Sequence, residues 1–423
     1  MRKLLMLGSS LGSQEIIRKA RERGWYTIVT DNLPPEKSPA KQSSDSYWMI
    51  STADIGALEK KCREKGIDAV FAGVSEFNLD RVRILADALH LPCYIDPGAW
   101  PFARNKRLFK QKCMEMGIPV VPEYPVPTPG DEAGWERIEY PVVVKPVDGT
   151  GNSGLSICHN REELEKGIRK AQSISTNPEL ILEKYITGEE TWNYYIIAEG
   201  VIRYLSSGGA FSQPGYPTYL YSFGTSVPGG IDDYLARMNH QCIELLRDIG
   251  CKEGIAWIQC IRDAEGNYYA LEMAHRLSAG VSGDIFEKYL GFNIIDWMLD
   301  TALGVTHSAS NLPNSIQCPF TGVMCVYNLF ADHSGQITEM KGFDQLDQSL
   351  FLPEIVRKHG EDVQQYQMMG KISFFARQTE EICQKLRELN ETISINDQSG
   401  KDLIVHFTDF DTVREGLSEF AQK

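Results

Sequence analysis

The chain has 423 residues, of which 42% are hydrophobic, 24% charged and 10% aromatic. That is a globular composition with material for several cores, and at roughly 150 residues per domain it allows two to four of them. The formal net charge of −14 weighs against a general attraction to nucleic acid or to an anionic membrane, so any anion site has to be built locally.

The opening "MRKLLMLGSS" holds a few apolar residues before a Gly/Ser turn. It is too short for a secretory core, and nothing later reaches the ~18 apolar residues of a membrane span. The expectation is a cytoplasmic protein. The ten cysteines include no C-x-x-C and no tight Cys/His cluster, which predicts buried, reduced thiols rather than zinc.

"KLLMLGSSLGSQEIIRKARERGWYTIVTD" reads as a buried strand, a Gly/Ser turn, an amphipathic helix and a strand ending at Asp31. Helix and strand alternate again through "ALEKKCREKGIDAVFAG", and "RVRILADALHLPCYI" predicts a helix and a short strand. Residues 1–96 thus form a small α/β domain with a parallel sheet. A dinucleotide could lie on such a turn with Asp31 at its ribose, although G-S-S-L-G is an imperfect fingerprint. Residues 97–125 follow as a linking helical segment. Its helix, "KRLFKQKCMEMG", is capped by Asn105, with Leu108, Phe109, Cys113 and Met116 on the packed side. "IPVVPEYPVPTPG" is too rich in proline for a helix or a central strand and leads into a new domain.

Residues 126–205 predict a β-rich lid: strand 142–146, a glycine-rich turn, strand 155–159, helix 161–173 with an Asn160/Glu163 capping box, strand 180–185, and a longer strand pair around 191–205. The turn, "VDGTGNSGLSICHN", contains G-x-G-x-x-G in Gly149, Gly151 and Gly154. A Rossmann loop runs from a strand into a helix. This one runs into an alternating strand, so it is a hairpin tip. With Thr150, Asn152 and Ser153 it offers donors suited to covering phosphates; the plainer alternative is a surface turn.

Residues 206–310 form the central domain. The stretch 206–230 has six glycines and little periodicity, as expected of a substrate-covering loop or an irregular connection. "GIAWIQCIRDAEGNYYALEMAHR" reads as a hairpin around A-E-G-N. Pairing Asp263 with Tyr268 places Gln259 opposite Glu272, on a face shared with Trp257, Ile261, Ala270 and Ala274. Two opposed oxygen ligands suit one cation. The alternatives are a Gln–Glu hydrogen bond or an ion pair of Glu272 with Arg276. His275 should point to the other face, which favours a structural histidine over a ligand or proton carrier. Residues 311–423 add strands in "GVMCVYNLFA", "GKISFFAR" and "DLIVHFTD" and the helix "TEEICQKLRELNETI".

The motifs "NKRLFKQKCMEMGIPVVP", "YPVVVKPVDGTGNSG", "LILEKYITGEE" and the 254–276 hairpin, in this order and spacing, resemble the ATP-grasp superfamily. The resemblance covers nearly the whole chain. It implies an α/β and α+β multidomain fold: a pre-ATP-grasp parallel-sheet domain, the lid, the central domain, and a C-terminal subdomain like that of biotin carboxylase. It further implies that Lys106 and Lys145 contact ATP phosphates under the 149–154 loop, and that Glu183, Lys184, Tyr185 and Ile186 read adenine mainly through backbone. Glu190 would bind ribose, Gln259 and Glu272 would hold magnesium or manganese, and Arg276 would steady the transferred phosphoryl group. Two departures stand out. Gln259 replaces a common acid, and "EMAHR" puts Ala274 where relatives carry an asparagine ligand. The implied activity is ligation of a small carboxylate to an amine with release of ADP and phosphate, and a homodimer is among the assemblies the resemblance implies. Carboxyphosphate or formyl-phosphate chemistry and a non-catalytic ATP-binding regulator stand as alternatives.

Overall fold

A computed structural model of the chain describes residues 1–9, 12–128, 130–149, 151, 153–175, 177–217, 220–228, 232–278, 282–314 and 322–417. The first apolar runs pair in parallel, as strand–helix alternation requires. Strands β1 (Lys3–Leu7), β2 (Tyr26–Thr30), β3 (Ser46–Trp48) and β4 (Ala69–Ala72) lie in the order β3-β2-β1-β4. Leu4, Leu5, Met6 and Leu7 of β1 are all buried, because helices cover both faces. The short strand expected in "LPCYI" is absent. Tyr94 instead stacks on Phe71, with ring centroids 4.6 Å apart, and its hydroxyl donates to the Ala72 carbonyl at 3.2 Å.

At the first turn of this domain the helix N-terminus already has an anionic partner. The Gly12 amide, at the start of helix Ser13–Glu22, donates to Glu354 Oε1 at 2.6 Å, which puts a carboxylate where the phosphate would sit. Asp31 is committed to the buried Lys41 ammonium at 2.7 Å.

Helix Lys106–Glu115 is capped as expected, the Asn105 side chain accepting from the amides of Arg107 and Leu108. Phe109 and Cys113 are buried, whereas Leu108 is exposed. Beyond the prolines comes a four-stranded antiparallel sheet in the order β5-β8-β6-β7, from β5 (Glu123–Tyr124), β6 (Val142–Pro146), β7 (Ser156–Cys158) and β8 (Leu180–Lys184). Helix Arg161–Ile174 covers it, with Leu164 and Ala171 packed on Val142, Val144 and Leu182. The capping box is shifted by one residue: Asn160 accepts from the Glu163 amide, while the Glu163 carboxylate accepts from the His159 amide.

The strand pair after β8 joins a third, eight-stranded sheet. It contains β9 (Gly188–Ala198), β10 (Val201–Ser212), β11 (Tyr221–Pro228), β12 (Gly254–Asp263), β13 (Tyr268–Ala274), β14 (Val323–Phe330) and the strands Phe351–Ile355 and Met368–Ala376. Its order is β13-β12-β9-β10-β11-β14, then Met368–Ala376, then Phe351–Ile355. The stretch 206–230, expected to be irregular, is therefore largely strand. Its glycines permit close approach: a Cβ on Gly208 would lie 2.6 Å from the Thr225 carbonyl oxygen. "DLIVHFTD" forms isolated bridges at Asp402 and Ile404 rather than a strand. Among the described residues, no helix is long and apolar enough to cross a membrane.

Candidate active site

Two adjoining cavities of about 390 and 600 Å³ lie between the four-stranded and eight-stranded sheets. The smaller is an apolar slot between Val143, Leu155 and Ile157 on one side and Ile261 and Leu271 on the other. Its edge is the segment Glu183, Lys184, Tyr185 and Ile186. The amides of Lys184 and Tyr185 donate to the carbonyls of Pro122 and Pro141 at 3.0 and 3.1 Å, which pins this segment between two loops.

The larger cavity begins under the glycine-rich turn, which joins β6 to β7 as a hairpin tip. Gly149, Gly151 and Ser153 line it, and Gly154 follows in the left-handed region at φ 81°. A Cβ on Gly149 would lie 2.7 Å from Pro146 Cγ and 2.8 Å from the Ser153 carbonyl oxygen, so the turn closes only without a side chain there. Thr150 and Asn152 lie outside the described residues.

Three lysines approach this region, each held by an acid. Lys106 Nζ donates to the Gly149 carbonyl at 2.6 Å and pairs with Glu272 Oε2 at 2.6 Å. Lys145, buried at the end of β6, pairs with Glu183. Lys110, which no motif singled out, is buried deeper and pairs with Glu183 at 2.8 Å and Glu123 at 2.7 Å. Burial alone would raise the Glu183 carboxyl, but Lys145 and Lys110 outweigh it and hold it below the usual range. Glu272 follows the same pattern, with Lys106 as the main cation opposing burial.

The hairpin of β12 and β13 places Gln259 opposite Glu272, as expected, but by a different route. Next to the turn Arg262, not Asp263, pairs with Tyr268, and an irregularity between Gln259 and Cys260 restores the anticipated register. The extra residue, Leu271, enters the cleft, while Ala270 pairs with Cys260 in the opposite core rather than joining the site face. Glu190 on β9 completes the row. It accepts from Gln259 Nε2 at 2.5 Å and from the Tyr221 hydroxyl at 2.7 Å, and burial raises its carboxyl despite both bonds. Tyr221 was hidden in the stretch expected to be irregular.

This donor set suits a magnesium ion that takes most of its ligands from phosphates and water. Glu272 is a half-buried carboxylate already balanced by the Lys106 cation, with the Gln259 amide opposite. Among the described residues, no cluster of three or more His, Cys, Asp or Glu side chains could hold a metal unaided. Ala274, buried in the core, contributes no ligand.

Arg276 closes the far end of the row. Its Nε donates to Glu76 Oε1 at 2.6 Å, and its guanidinium lies 5.0 Å from the Trp257 ring centroid. His275 faces away from the cleft and is fully buried between the Asp96 amide, 3.3 Å from Nδ1, and the Glu253 carbonyl, 3.0 Å from Nε2. Nδ1 therefore accepts and Nε2 carries the proton, in the neutral ring. Burial lowers its pKa, with Asp96 opposing more weakly. Below the unfolded value of about 6.5 the unfolded chain binds the proton more readily. Stability is expected to fall as pH drops from there toward the folded pKa, by up to about 1.4 kcal/mol per pH unit. Urea midpoints at successive pH values should show this slope in the wild type and lose it in His275→Gln.

Comparisons with known proteins find a likeness in sequence over one segment and in fold over nearly the whole chain. Residues 105–202 match the family model for the ATP-binding domain of the carbamoyl-phosphate synthase L chain. The large chain of carbamoyl phosphate synthase from Clostridium acetobutylicum is 23% identical over 300 residues, 67% of this chain but 26% of the relative. The chain thus spans about a quarter of that curated relative's length. Among solved structures, the biotin carboxylase domain of Hydrogenobacter thermophilus 2-oxoglutarate carboxylase, a dimer with MgADP, ADP and bicarbonate, superposes with a TM-score of 0.77 at 19% identity. The match covers 94% of this chain and 91% of that one. The L-amino acid ligase of Bacillus licheniformis gives 0.76 at 20% identity, over 94% and 99% of the two chains. Phosphoribosylglycinamide synthetase of Anaerococcus prevotii gives 0.71 at 15%, over 94% and 100%. Residues 105–202 thus resemble a carbamoyl-phosphate synthase ATP-binding domain, and the chain as a whole shares the fold of these solved structures.

Proposed function

We propose that the protein is an ATP-dependent ligase that activates a small carboxylate as an acyl phosphate and joins it to an amine. The observation that carries this reading is the row Glu190, Gln259 and Glu272 across three adjacent strands, with Arg276 just beyond the last of them, facing Lys106, Lys145 and the glycine turn. Adenine would enter the apolar slot at Glu183–Ile186 and the ribose would meet Glu190. The phosphates would lie between Lys106 and Lys145, under Gly149–Gly154.

A substrate carboxylate oxygen attacks the γ-phosphorus in line, and the bond from that phosphorus to the β–γ bridging oxygen breaks, releasing ADP. The amine nitrogen then attacks the acyl carbon. The bond from that carbon to the phosphate oxygen breaks, inorganic phosphate leaves, and the amine proton passes to solvent. Lys106, Lys145 and Arg276 neutralise the transferred charge, and the glycine turn excludes water from the acyl phosphate. Magnesium held by Glu272 and Gln259 would, when bound, neutralise phosphate charge. No protein nucleophile takes part. The dimeric carboxylase neighbour supports a homodimer, and bicarbonate bound in it supports carboxyphosphate chemistry as a second reading.

The test is ADP release from magnesium-ATP with pools of amino acids, other carboxylates, amines, bicarbonate and formate, each omitted in turn. Release that needs both a carboxylate and an amine is expected. Release with bicarbonate or formate alone would replace this reading by the second. ATP binding without release in any pool would favour a regulator, with Ala274 as its mark.

A further inference from the structure

Glu76 holds no part of the nucleotide in this scheme, yet it lines the larger cavity and is paired with Arg276. It is the first residue of helix Glu76–Leu89, is 8% exposed, and pairs with Arg276 at 2.6 Å. The cavity around the pair is about 600 Å³, and its walls include Phe77, Trp192, Tyr194, Trp257, Phe330 and Met368.

A carboxylate that reaches Arg276 meets the like charge of Glu76 in a cleft where water screens poorly. A simple acid would leave Glu76 either repelling the substrate or deprived of its cation. A substrate that brings its own positive charge removes both problems, because one Arg–Glu pair is exchanged for two new pairs and no charge is left uncompensated. The aromatic walls favour a large apolar group and also accept an ammonium against their faces. Bicarbonate and formate have no cation and leave most of the cavity unfilled.

We propose that the activated substrate is a zwitterionic amino acid with a bulky apolar side chain, its carboxylate on Arg276 and its ammonium on Glu76. This rests on the ligase reading above and narrows it. The carboxylate oxygen attacks the γ-phosphorus as ADP leaves, and the ammonium stays protonated while Glu76 holds it.

The experiment replaces the unknown amine with hydroxylamine, which attacks an acyl phosphate to give a hydroxamate and inorganic phosphate. Hydroxamate and ADP are measured with phenylalanine, leucine, glycine, 3-phenylpropionate, bicarbonate and formate as carboxylates. Phenylalanine or leucine is expected to exceed 3-phenylpropionate in kcat/KM by roughly 10- to 100-fold, the worth of a hydrogen bond to a buried charge, and to exceed glycine by roughly 10- to 100-fold through burial of its apolar side chain. In Glu76→Gln the ratio of phenylalanine to 3-phenylpropionate should fall toward one, with ATP still raising Tm as the sign of an intact fold. The inference is overturned if 3-phenylpropionate, glycine, bicarbonate or formate matches or outruns the bulky amino acids, or if Glu76→Gln leaves the ratio unchanged. Should no carboxylate yield hydroxamate or ADP, the ligase reading itself fails and takes this inference with it.

Discussion

Replacing Glu272 by alanine is expected to lower the rate of ADP release at least ~100-fold, the scale seen when one preorganised electrostatic group is lost from a reaction centre. Glu272 is the only carboxylate on Lys106 among the described contacts, and it faces Gln259 across the hairpin. Its loss leaves Lys106 with the Gly149 carbonyl alone and removes the charged member of the pair proposed for magnesium. The deficit should not be recovered by raising magnesium, because Gln259 donates its amide to Glu190 and offers no charge of its own. Steady-state rates across a magnesium titration check this, with circular dichroism to establish folding. A folded variant with the wild-type rate would remove Glu272 from the mechanism.

Glu183→Ala is expected to act on stability, costing about 3–5 kcal/mol, as when one member of a buried ionic cluster is deleted. Lys145 would lose its close partner, and Lys110 would keep only Glu123 and the Val121 carbonyl. The sign of the pH dependence follows from the lowered Glu183 carboxyl, for which burial acts upward and the two lysines act downward more strongly. Its contribution is fully present above the unfolded value of about 4.3 and is lost as pH falls through the lower folded value. Urea unfolding of both chains at neutral pH measures the difference. A change below about 1 kcal/mol would mean that water compensates the lysines as well as Glu183 does. The cluster also bears on ATP capture. If Lys145 turns toward phosphate, Lys110 stays on Glu183, and the acid never stands buried and unpaired.

Much of the site was legible because it lies within single motifs. Lys145 stands out as a cation inside an apolar strand, and the chain leaving the glycine turn alternates as a strand, which separates a hairpin tip from a Rossmann loop. The opposition of Gln259 and Glu272 was legible only because two departures cancelled. The turn starts one residue away from the expected pairing, and Leu271 bulges out to restore it. A turn sequence carries no mark of a bulge three residues away. Other parts were illegible for a simpler reason. Glu76 meets Arg276 across 200 residues of chain, and Tyr221 meets Glu190 from a stretch whose glycines masked its strand. Neither contact has a local period or spacing that could announce it. The same holds for Lys110, whose helix reads as a run of solvated cations until β8 is packed against it.

The eight-stranded sheet runs without a break from β13 to Phe351–Ile355, so the floor of the cleft and the C-terminal segment are tied by backbone hydrogen bonds into one plate. The chain enters and leaves the four-stranded sheet near Pro122 and Tyr185, and the hairpin of β6 and β7 carries Lys145 and the glycine turn on a single lever. On the proposed reading, Lys145 and the glycine turn would therefore meet a phosphate as one unit, and a nucleotide too short to reach both would leave the hairpin unheld.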